Sequence, residues 1–253
     1  MATKIVMLGA LGRMGQHILR LAREDRECEV VGEVDRDVDL KPSLGKADVV
    51  IDFTMPAATM HHLPEIVAAK KALVLGTTGF SEDEKRKLGE ASKTIPMVFA
   101  PNMSLGVNLL FSLTQIVAQV VGDDFDVEIV EAHNNKKIDA PSGTANHLAE
   151  IVAAAKQKPL SQVAKHGRAG ITDARRRSEI GIHAIRGGDV VGDHTVMFLG
   201  TGERIELTHR ASSRDTFAKG ALRAAKWVVN AEPGQYDMLD VLGLKVQPNA
   251  ENG

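Results

Sequence analysis

The chain reads as an α/β protein, a Rossmann-like, doubly wound parallel sheet plus a smaller α+β domain with a mixed or antiparallel sheet. Three observations predict this. Short, near-continuous apolar runs alternate with helical stretches through about residue 100, the pattern of strands covered on both faces. Glycines stand at Gly9, Gly12 and Gly15, between the first apolar run and the first helix. Beyond about Leu105 the strands lengthen and alternate apolar with polar residues, as in a sheet open on one face.

Taken in order, Lys4 to Leu8 is a short buried strand. It runs into Gly9-Ala10-Leu11-Gly12-Arg13-Met14-Gly15 and an amphipathic helix, Gln16 to about Glu24. Glycines at a strand-to-helix turn let the backbone approach a pyrophosphate, which then sits on the helix N-terminus, and Arg13 adds positive charge there. The spacing is G-x-x-G-x-x-G, not the strict dinucleotide fingerprint, so its context carries the weight. A second strand, Glu29 to Val34, ends at Asp35, about 20 residues past the last glycine, where a carboxylate can accept from the adenosine ribose hydroxyls of NAD. Arg36 follows, and a guanidinium suits the 2′-phosphate of NADP.

A polar connection, Arg36 to Lys46, leads to a strand at Asp48 to Phe53 and a helix at Ala57 to Ala69. Ala72 to Leu75 is a strand ending in Gly76-Thr77-Thr78-Gly79. Ser81 and Glu84 form a capping box for the next helix, and Met97 to Ala100 is a further strand. Ligands of such sheets bind beyond the carboxyl ends of the strands, here the Gly9 turn, Asp35, Phe53-Thr54, Gly76 to Gly79 and Pro101-Asn102.

A long helix, Val107 to Val121, opens the second region, followed by a strand at Val127 to Val130 and a helix from about Ala145. The polar segment Lys156 to Arg177 reads as a solvated, mobile loop in preference to a substrate lid. Strands return at Ile180 to Ile185, Val190 to Phe198 and Arg204 to His209, and a last helix runs from Asp215 or Thr216 through Trp227. This order implies domains of 1–104 with 215–253 and of 105–214, the second inserted into the first. The tail 248–253 is expected to fray.

With 253 residues, 31 Lys and Arg against 33 Asp and Glu, and aromatics at 4%, the chain carries neither the charge nor the stacking surface that nucleic acid or an anionic membrane calls for. No uninterrupted apolar run reaches the roughly 18 residues of a membrane span. A single cysteine, Cys28, excludes an internal disulfide and fits a reducing compartment, so the expected location is the cytoplasm. No metal ligands are assigned.

The stretch 131–145 concentrates the chemistry. It places His133, Lys136, Lys137 and Ser142-Gly143-Thr144 just before a helix, and a helix N-terminus binds anions through its free N–H groups and macrodipole. Two lysines beside such a terminus suit a small dianion, and Lys137 can supply a proton.

These residues resemble those of the 4-hydroxy-tetrahydrodipicolinate (dihydrodipicolinate) reductase family. The blocks are Gly-Ala-x-Gly-Arg-Met-Gly at 9–15, Ile-Asp-Phe-Thr at 51–54, Gly-Thr-Thr-Gly-Phe at 76–80, Lys-x-Asp-Ala-Pro-Ser-Gly-Thr-Ala at 137–145, Arg-Gly-Gly-Asp-Val-Val-Gly-Asp-His-Thr at 186–195 and Glu-x-Thr-His-Arg-Ala-Ser-Ser-Arg at 206–214. The resemblance spans Lys4 to about Leu244. It implies a reduction that uses NADH or NADPH and makes lysine and diaminopimelate precursors. It also implies a dicarboxylate substrate and a homotetramer joined through the sheets of the second domain.

By the same resemblance Gly9, Gly12, Arg13, Met14, Asp35 and Arg36 would hold the adenosine half of the cofactor. Phe53, Gly76, Thr77, Thr78 and Ala100-Pro101-Asn102-Met103 would surround its nicotinamide end. His133 and Lys137 match the family's catalytic pair; Asn134, Lys137, Ser142, Gly143 and Thr144 would bind substrate. Two departures stand out. Asn134-Asn135-Lys136 occupies positions where many members carry His-Arg-His, which removes a titratable group. Met55 stands where some relatives have Arg, removing one contact to a 2′-phosphate. With Asp35 opposing that phosphate and Arg36 favouring it, both cofactors should work, NADH at least as well.

Two other functions fit a two-domain nicotinamide-binding chain. A semialdehyde dehydrogenase needs a thiolate, and Cys28 lies away from every proposed site. A catalytically inactive nicotinamide-binding regulator would explain Asn134 as decay, but His133, Lys137, Gly143 and Thr144 are all retained.

Overall fold

The computed structural model describes residues 1–245 and divides into two compact units, Met1–Leu105 with Arg214–Gly253, and Gly106–Ser213. The expected fraying of 248–253 lies outside the described residues.

The first unit opens with β1 (Thr3–Leu8), α1 (Arg13–Glu24), β2 (Cys28–Val34), a short α2 (Lys41–Leu44), β3 (Val49–Asp52), α3 (Pro56–Ala68), β4 (Ala72–Leu75), α4 (Glu82–Ser92) and β5 (Pro96–Phe99). Helix α1 starts three residues earlier than Gln16 and buries Gly15, Ile18, Leu19 and Ala22, the i, i+3, i+4, i+7 stripe of an amphipathic helix. Ser81 caps α4 as the sequence predicts: its Oγ accepts from Glu84 N at 3.3 Å while Glu84 Oε2 accepts from Ser81 N at 2.8 Å. The helical turn α2 lies inside what was expected to be an irregular connection; Pro42 in its first turn favours it.

The second unit runs α5 (Leu105–Val121), a 3-10 turn (Gly122–Asp124), β6 (Asp126–His133), α6 (Gly143–Ala155), α7 (Leu160–Val163), β7 (Ala164–His166), β8 (Ile180–Arg186), β9 (Gly192–Leu199) and β10 (Arg204–Ala211). The chain then returns to the first unit as α8 (Asp215–Val228), β11 (Gly234–Tyr236) and α9 (Met238–Leu242). The sequence did not predict β11 and α9.

The first sheet is parallel throughout, in the order β11-β5-β4-β3-β1-β2. Alternation along β1 sends Ile5 and Met7 into one core, with Ile18 and Leu19 of α1 and Ala221, Ala225 and Val228 of α8. Val6 and Leu8 enter the other, with Ile66 of α3 and Leu88 of α4. Both faces are therefore covered, as a doubly wound sheet requires. The strand order reverses between β1 and β3, so the ends of those strands form the ligand-binding switch point.

The second sheet is mixed, ordered β10-β9-β6-β8-β7, with β6, β7 and β8 mutually parallel and β9 antiparallel to β6 and β10. Val127, Ile129, Ile180, Ile182, Val196 and Phe198 pack one face against Leu148, Ala149 and Val152 of α6 and Val107, Leu110 and Phe111 of α5. Helix α5 with its 3-10 extension is long and apolar enough to cross a bilayer by length and composition, but these contacts make it a core helix.

Two expectations need correcting. The strand placed at Val127–Val130 extends to His133, so Glu131 and His133 are held by a ladder. The segment expected to be a mobile loop contains α7 and the edge strand β7, and two of its arginines, Arg168 and Arg175, are anchored. Glu128 Oε1 and Oε2 accept from Arg168 Nη2 and Nη1 at 2.9 and 3.1 Å, and Oε1 also accepts from Arg175 Nε at 3.0 Å. Arg175 Nη1 reaches Asp126 Oδ1 at 2.6 Å. Gly181 makes room: a Cβ there would lie 1.7 Å from Glu128 Oε2.

Candidate active site

On the first unit, the ends of β1, β2 and β3 surround an open cavity of about 1120 Å³. Gly9, Gly12, Asp35, Arg36 and Phe53 line it, as do Thr54, Met55, His61 and His62. Gly9 has φ +80°, and a Cβ on it would sit 2.8 Å from Phe53 O, so only glycine turns the chain here. At Gly15 a Cβ would lie 2.1 Å from Gly9 O; glycine lets α1 start hard against the turn.

Asp35 ties the cavity together. Its Oδ2 accepts from Leu11 N at 2.9 Å and its Oδ1 from Arg36 N at 3.0 Å, and these two N–H bonds hold the carboxyl below its ordinary range. The carboxylate is thus ionised and fixed beside the glycine turn, with lone pairs left for hydroxyl donors.

The remaining residues expected to hold the cofactor, Arg13 and Met14 at its adenosine half and the others around its nicotinamide, are placed less uniformly. Gly76 lies under the Phe53 ring, where a Cβ would come within 2.3 Å of Phe53 Cζ. Arg13, Thr78 and Pro101 are exposed, and Met14 packs against the core. Thr77, Ala100 and Met103 are buried. Asn102 Oδ1 accepts from Ser104 N at 2.9 Å. None of these lines the cavity.

Asp52 organises this end of the sheet and was given no role from the sequence. It is fully buried; Oδ1 accepts from Thr54 N, Thr54 Oγ1 and Thr77 Oγ1 at 2.9, 2.6 and 3.2 Å, and Oδ2 from Thr59 Oγ1 at 2.7 Å. Burial raises its carboxyl above the usual range, and the threonine donors oppose that. Cys28 is inert by the same physics: burial, then Asp25, push its thiol up to about 11.

On the second unit, the 131–145 stretch closes around Glu131, whose side chain is fully buried. It lies on the core face of β6, in phase with Val127 and Ile129. Arg186, from the parallel neighbour β8, grips it as a fork, with Nη1 to Oε2 at 2.7 Å and Nη2 to Oε1 at 2.8 Å. Ser142 N donates to Oε1 at 2.9 Å, and His133 Nδ1 stands 2.6 Å from Oε2. Burial alone would raise this carboxyl, but the Arg186, His133 and Ser142 donors outweigh it and the net shift is downward.

Ser142 caps α6, its Oγ accepting from Ala145 N at 3.2 Å and lying 3.0 Å from His194 Nε2. The exposed Gly143 is the first residue of α6, where a backbone N–H has no intrahelical acceptor. A side chain at Gly143 would meet nothing within 4 Å, which leaves space for a ligand above the helix end. Lys137 Nζ pairs with Asp139 Oδ1 at 2.8 Å. Asn134 closes a local turn, its Oδ1 accepting from Lys136 N at 3.1 Å. His194 is edge-on to His133 with ring centroids 5.1 Å apart, and burial followed by the His133 charge pushes it down to about 4. Glu131, Arg186 and His194 were not assigned from the sequence, although Arg186 and His194 fall inside one of its conspicuous blocks.

Comparison with known proteins covers nearly the whole chain. The family model described as "Dihydrodipicolinate reductase, N-terminus" matches residues 3–103, and "Dihydrodipicolinate reductase, C-terminus" matches residues 106–242. The 4-hydroxy-tetrahydrodipicolinate reductase of Aquifex aeolicus is 50% identical over 269 residues, covering 96% of this chain and 100% of its own. That of Geobacter metallireducens is 47% identical over 265 residues, covering 96% and 99%. Among solved structures, a dipicolinate-bound dihydrodipicolinate reductase from Paenisporosarcina sp. TG-14 is similar in fold, with a TM-score of 0.78 at 23% identity over 95% of this chain and 99% of that one.

Proposed function

This chain belongs to the dihydrodipicolinate reductase family, and on that premise we propose how its own residues perform the reaction. The protein is an oxidoreductase that reduces 4-hydroxy-tetrahydrodipicolinate to tetrahydrodipicolinate with NADH or NADPH, taking up one hydride and one proton and releasing the 4-hydroxyl as water, in the synthesis of lysine and diaminopimelate. The observation that carries the residue assignment is the 131–145 stretch. One buried carboxylate there holds an imidazole and a helix N-terminus together, with a lysine between them in sequence.

The first unit fits a dinucleotide. Gly9 and Gly12 leave the backbone open to a pyrophosphate, Arg13 is exposed beside it, and Asp35 offers an ionised acceptor to ribose hydroxyls. Arg36 is exposed in the same cavity wall and suits a 2′-phosphate, so both cofactors are accepted, NADH at least as well. Gly76, Thr78 and the 100–103 turn would contact the nicotinamide end. When bound, the cofactor supplies the hydride.

The second unit binds the dicarboxylate. The α6 N-terminus at Gly143 and Thr144, with Lys137 beside it in the chain, meets one carboxylate, and Asn134 can donate to the other. As hydride arrives, negative charge builds on the substrate, and the Lys137 ammonium delivers the proton that neutralises it. His133 lies on the same stretch, held by Glu131. Its role is to hold or pass a proton at the substrate.

Self-association into a homotetramer and residence in the cytoplasm belong to the same reading. Leu109, Leu113, Ile116 and Val120 form an exposed apolar stripe on α5, a surface that association would cover, and the one cysteine is free of any disulfide. Light scattering on the purified protein tests the tetramer.

The activity is tested by mixing the protein with NADH or NADPH and with substrate generated in place from pyruvate and aspartate semialdehyde by the preceding synthase. Substrate-dependent oxidation of reduced cofactor is expected with both. Cofactor binding without oxidation would return the protein to the class of nicotinamide-binding regulators.

A further inference from the structure

We infer that Glu131 is the positioning residue of the site: it fixes His133 in the Nδ1–H tautomer and locks that ring to the substrate-binding turn at Ser142. The inference rests on the reading that His133 takes part in the reaction.

Glu131 has four hydrogen-bond contacts to its two oxygens. Three come from groups that can only donate: Arg186 Nη1 at 2.7 Å, Arg186 Nη2 at 2.8 Å and Ser142 N at 2.9 Å. A carboxylate facing a guanidinium fork is ionised, and these donors pull the Glu131 carboxyl down in spite of its burial. An ionised carboxylate has no proton to give. At 2.6 Å from Oε2, His133 Nδ1 must therefore carry the hydrogen. When the ring is neutral, Nε2 is then unprotonated, and every proton His133 gains or loses during turnover is exchanged at Nε2.

Two neighbours support the assignment. His194 stands edge-on to His133 but reaches Ser142 Oγ, not Glu131, so it does not compete for the carboxylate. Gly192 leaves the Nε2 edge uncrowded: even the first carbon of a side chain there would sit 3.1 Å from Nε2.

The second half of the inference is geometric. Oε1 takes the Ser142 N–H while Oε2 takes the imidazole, so one rigid carboxylate sets the distance between His133 on β6 and the N-terminus of α6. Arg186 extends the brace, since its Nη2 also donates to Asp139 O at 2.6 Å, two residues beyond Lys137. The ring, the lysine loop and the helix end are all referred to Glu131.

The test is nitrogen NMR of ¹⁵N-histidine-labelled protein, with His133 assigned by its loss in His133→Ala, alongside steady-state kinetics. In the unmodified protein the neutral His133 ring is expected to be protonated at Nδ1. In Glu131→Gln the amide NH2 turns toward Nδ1 and the ring switches to the Nε2–H tautomer. Turnover should then fall at least about tenfold, with NADH affinity unchanged, by the logic through which losing the orienting carboxylate of a Ser-His-Asp triad strands the histidine in the wrong tautomer. An Nε2–H ring in the unmodified protein overturns the inference, and that spectrum decides the matter even if Glu131→Gln does not fold. Unchanged tautomer or unchanged turnover in a folded Glu131→Gln overturns it as well. If His133→Ala itself keeps full turnover, it is the role of His133 in the reaction that fails, a separate outcome.

Discussion

Lys137 Nζ lies 2.8 Å from Asp139 Oδ1, two residues along the same loop. Asp139 is 56% exposed, so solvent screens the pair and it is worth at most about 1 kcal/mol. A substrate carboxylate can replace Asp139 at little cost. Asp139→Asn is therefore expected to change the KM for substrate by no more than about fivefold, read from steady-state kinetics. A much larger change would mean that Asp139 itself binds in the site.

Lys137→Ala removes the proton donor instead. Turnover should drop roughly 10²–10⁴-fold, the range of general acid catalysis, while NADH binding followed by fluorescence stays nearly unchanged. Turnover close to that of the unmodified protein would take Lys137 out of the chemistry.

Asp35→Ala tests the ribose assignment. The change deletes an acceptor for ribose hydroxyls and frees Leu11 N, so both cofactors should bind less well. NADH should lose more than NADPH, because an anion that opposes a 2′-phosphate disappears too. Titration of both cofactors decides it, and equal losses would contradict the assignment.

Gly15→Ala is expected to destabilise the first unit by about 1–3 kcal/mol or more, as overpacking does. The new Cβ would meet Gly9 O at 2.1 Å and Ala10 O at 2.9 Å, which are backbone atoms that cannot rotate away. A lowered Tm with weakened dinucleotide binding is the expected result; an unchanged Tm would show that α1 shifts freely.

Glu128 makes the second unit acid-sensitive. Burial would raise its carboxyl, but the bonds from Arg168, His183 and Arg175 bring it down from 4.5 to about 2. A folded-state value below the unfolded one contributes stability that is complete above about pH 4.5 and is lost as pH falls toward 2. The shift corresponds to about 3 kcal/mol at one pKa unit per about 1.4 kcal/mol. Thermal unfolding followed from pH 5 to 2 should show the decline, and Glu128→Gln should lack that component while being less stable at neutral pH. A variant with the same acid profile as the parent would place the sensitivity elsewhere.

Local patterns were legible where neighbours in sequence decide the structure. The glycine turn at Gly9, the Ser81–Glu84 box and the parallel strands up to Phe99 all follow from turn chemistry and apolar periodicity. What escaped depends on partners far along the chain. Gly234–Tyr236 is too short and too polar to announce a strand, and becomes one by pairing with Pro96–Val98. The polar run around Arg168 and Arg175 looks solvated until Glu128, more than thirty-five residues earlier, supplies its counter-charge. Glu131 on an apolar face looks misplaced without Arg186. The cavity wall on α3 was hidden for another reason: His61 and His62 belong to no familiar motif, and the register of the helix alone turns them toward the cavity.

The chain path also sets an order of events during synthesis. The first core draws Ala218, Ala221, Leu222, Ala224, Ala225 and Val228 from α8, so one face of the nucleotide-binding sheet is covered only in part, by α1, until the ribosome has passed those residues. The inserted unit is continuous and complete at Ser213. A growing chain can thus finish its middle before its beginning, and a released fragment ending near residue 213 should expose the apolar underside of β3 and β4 to chaperones while its second core is already closed.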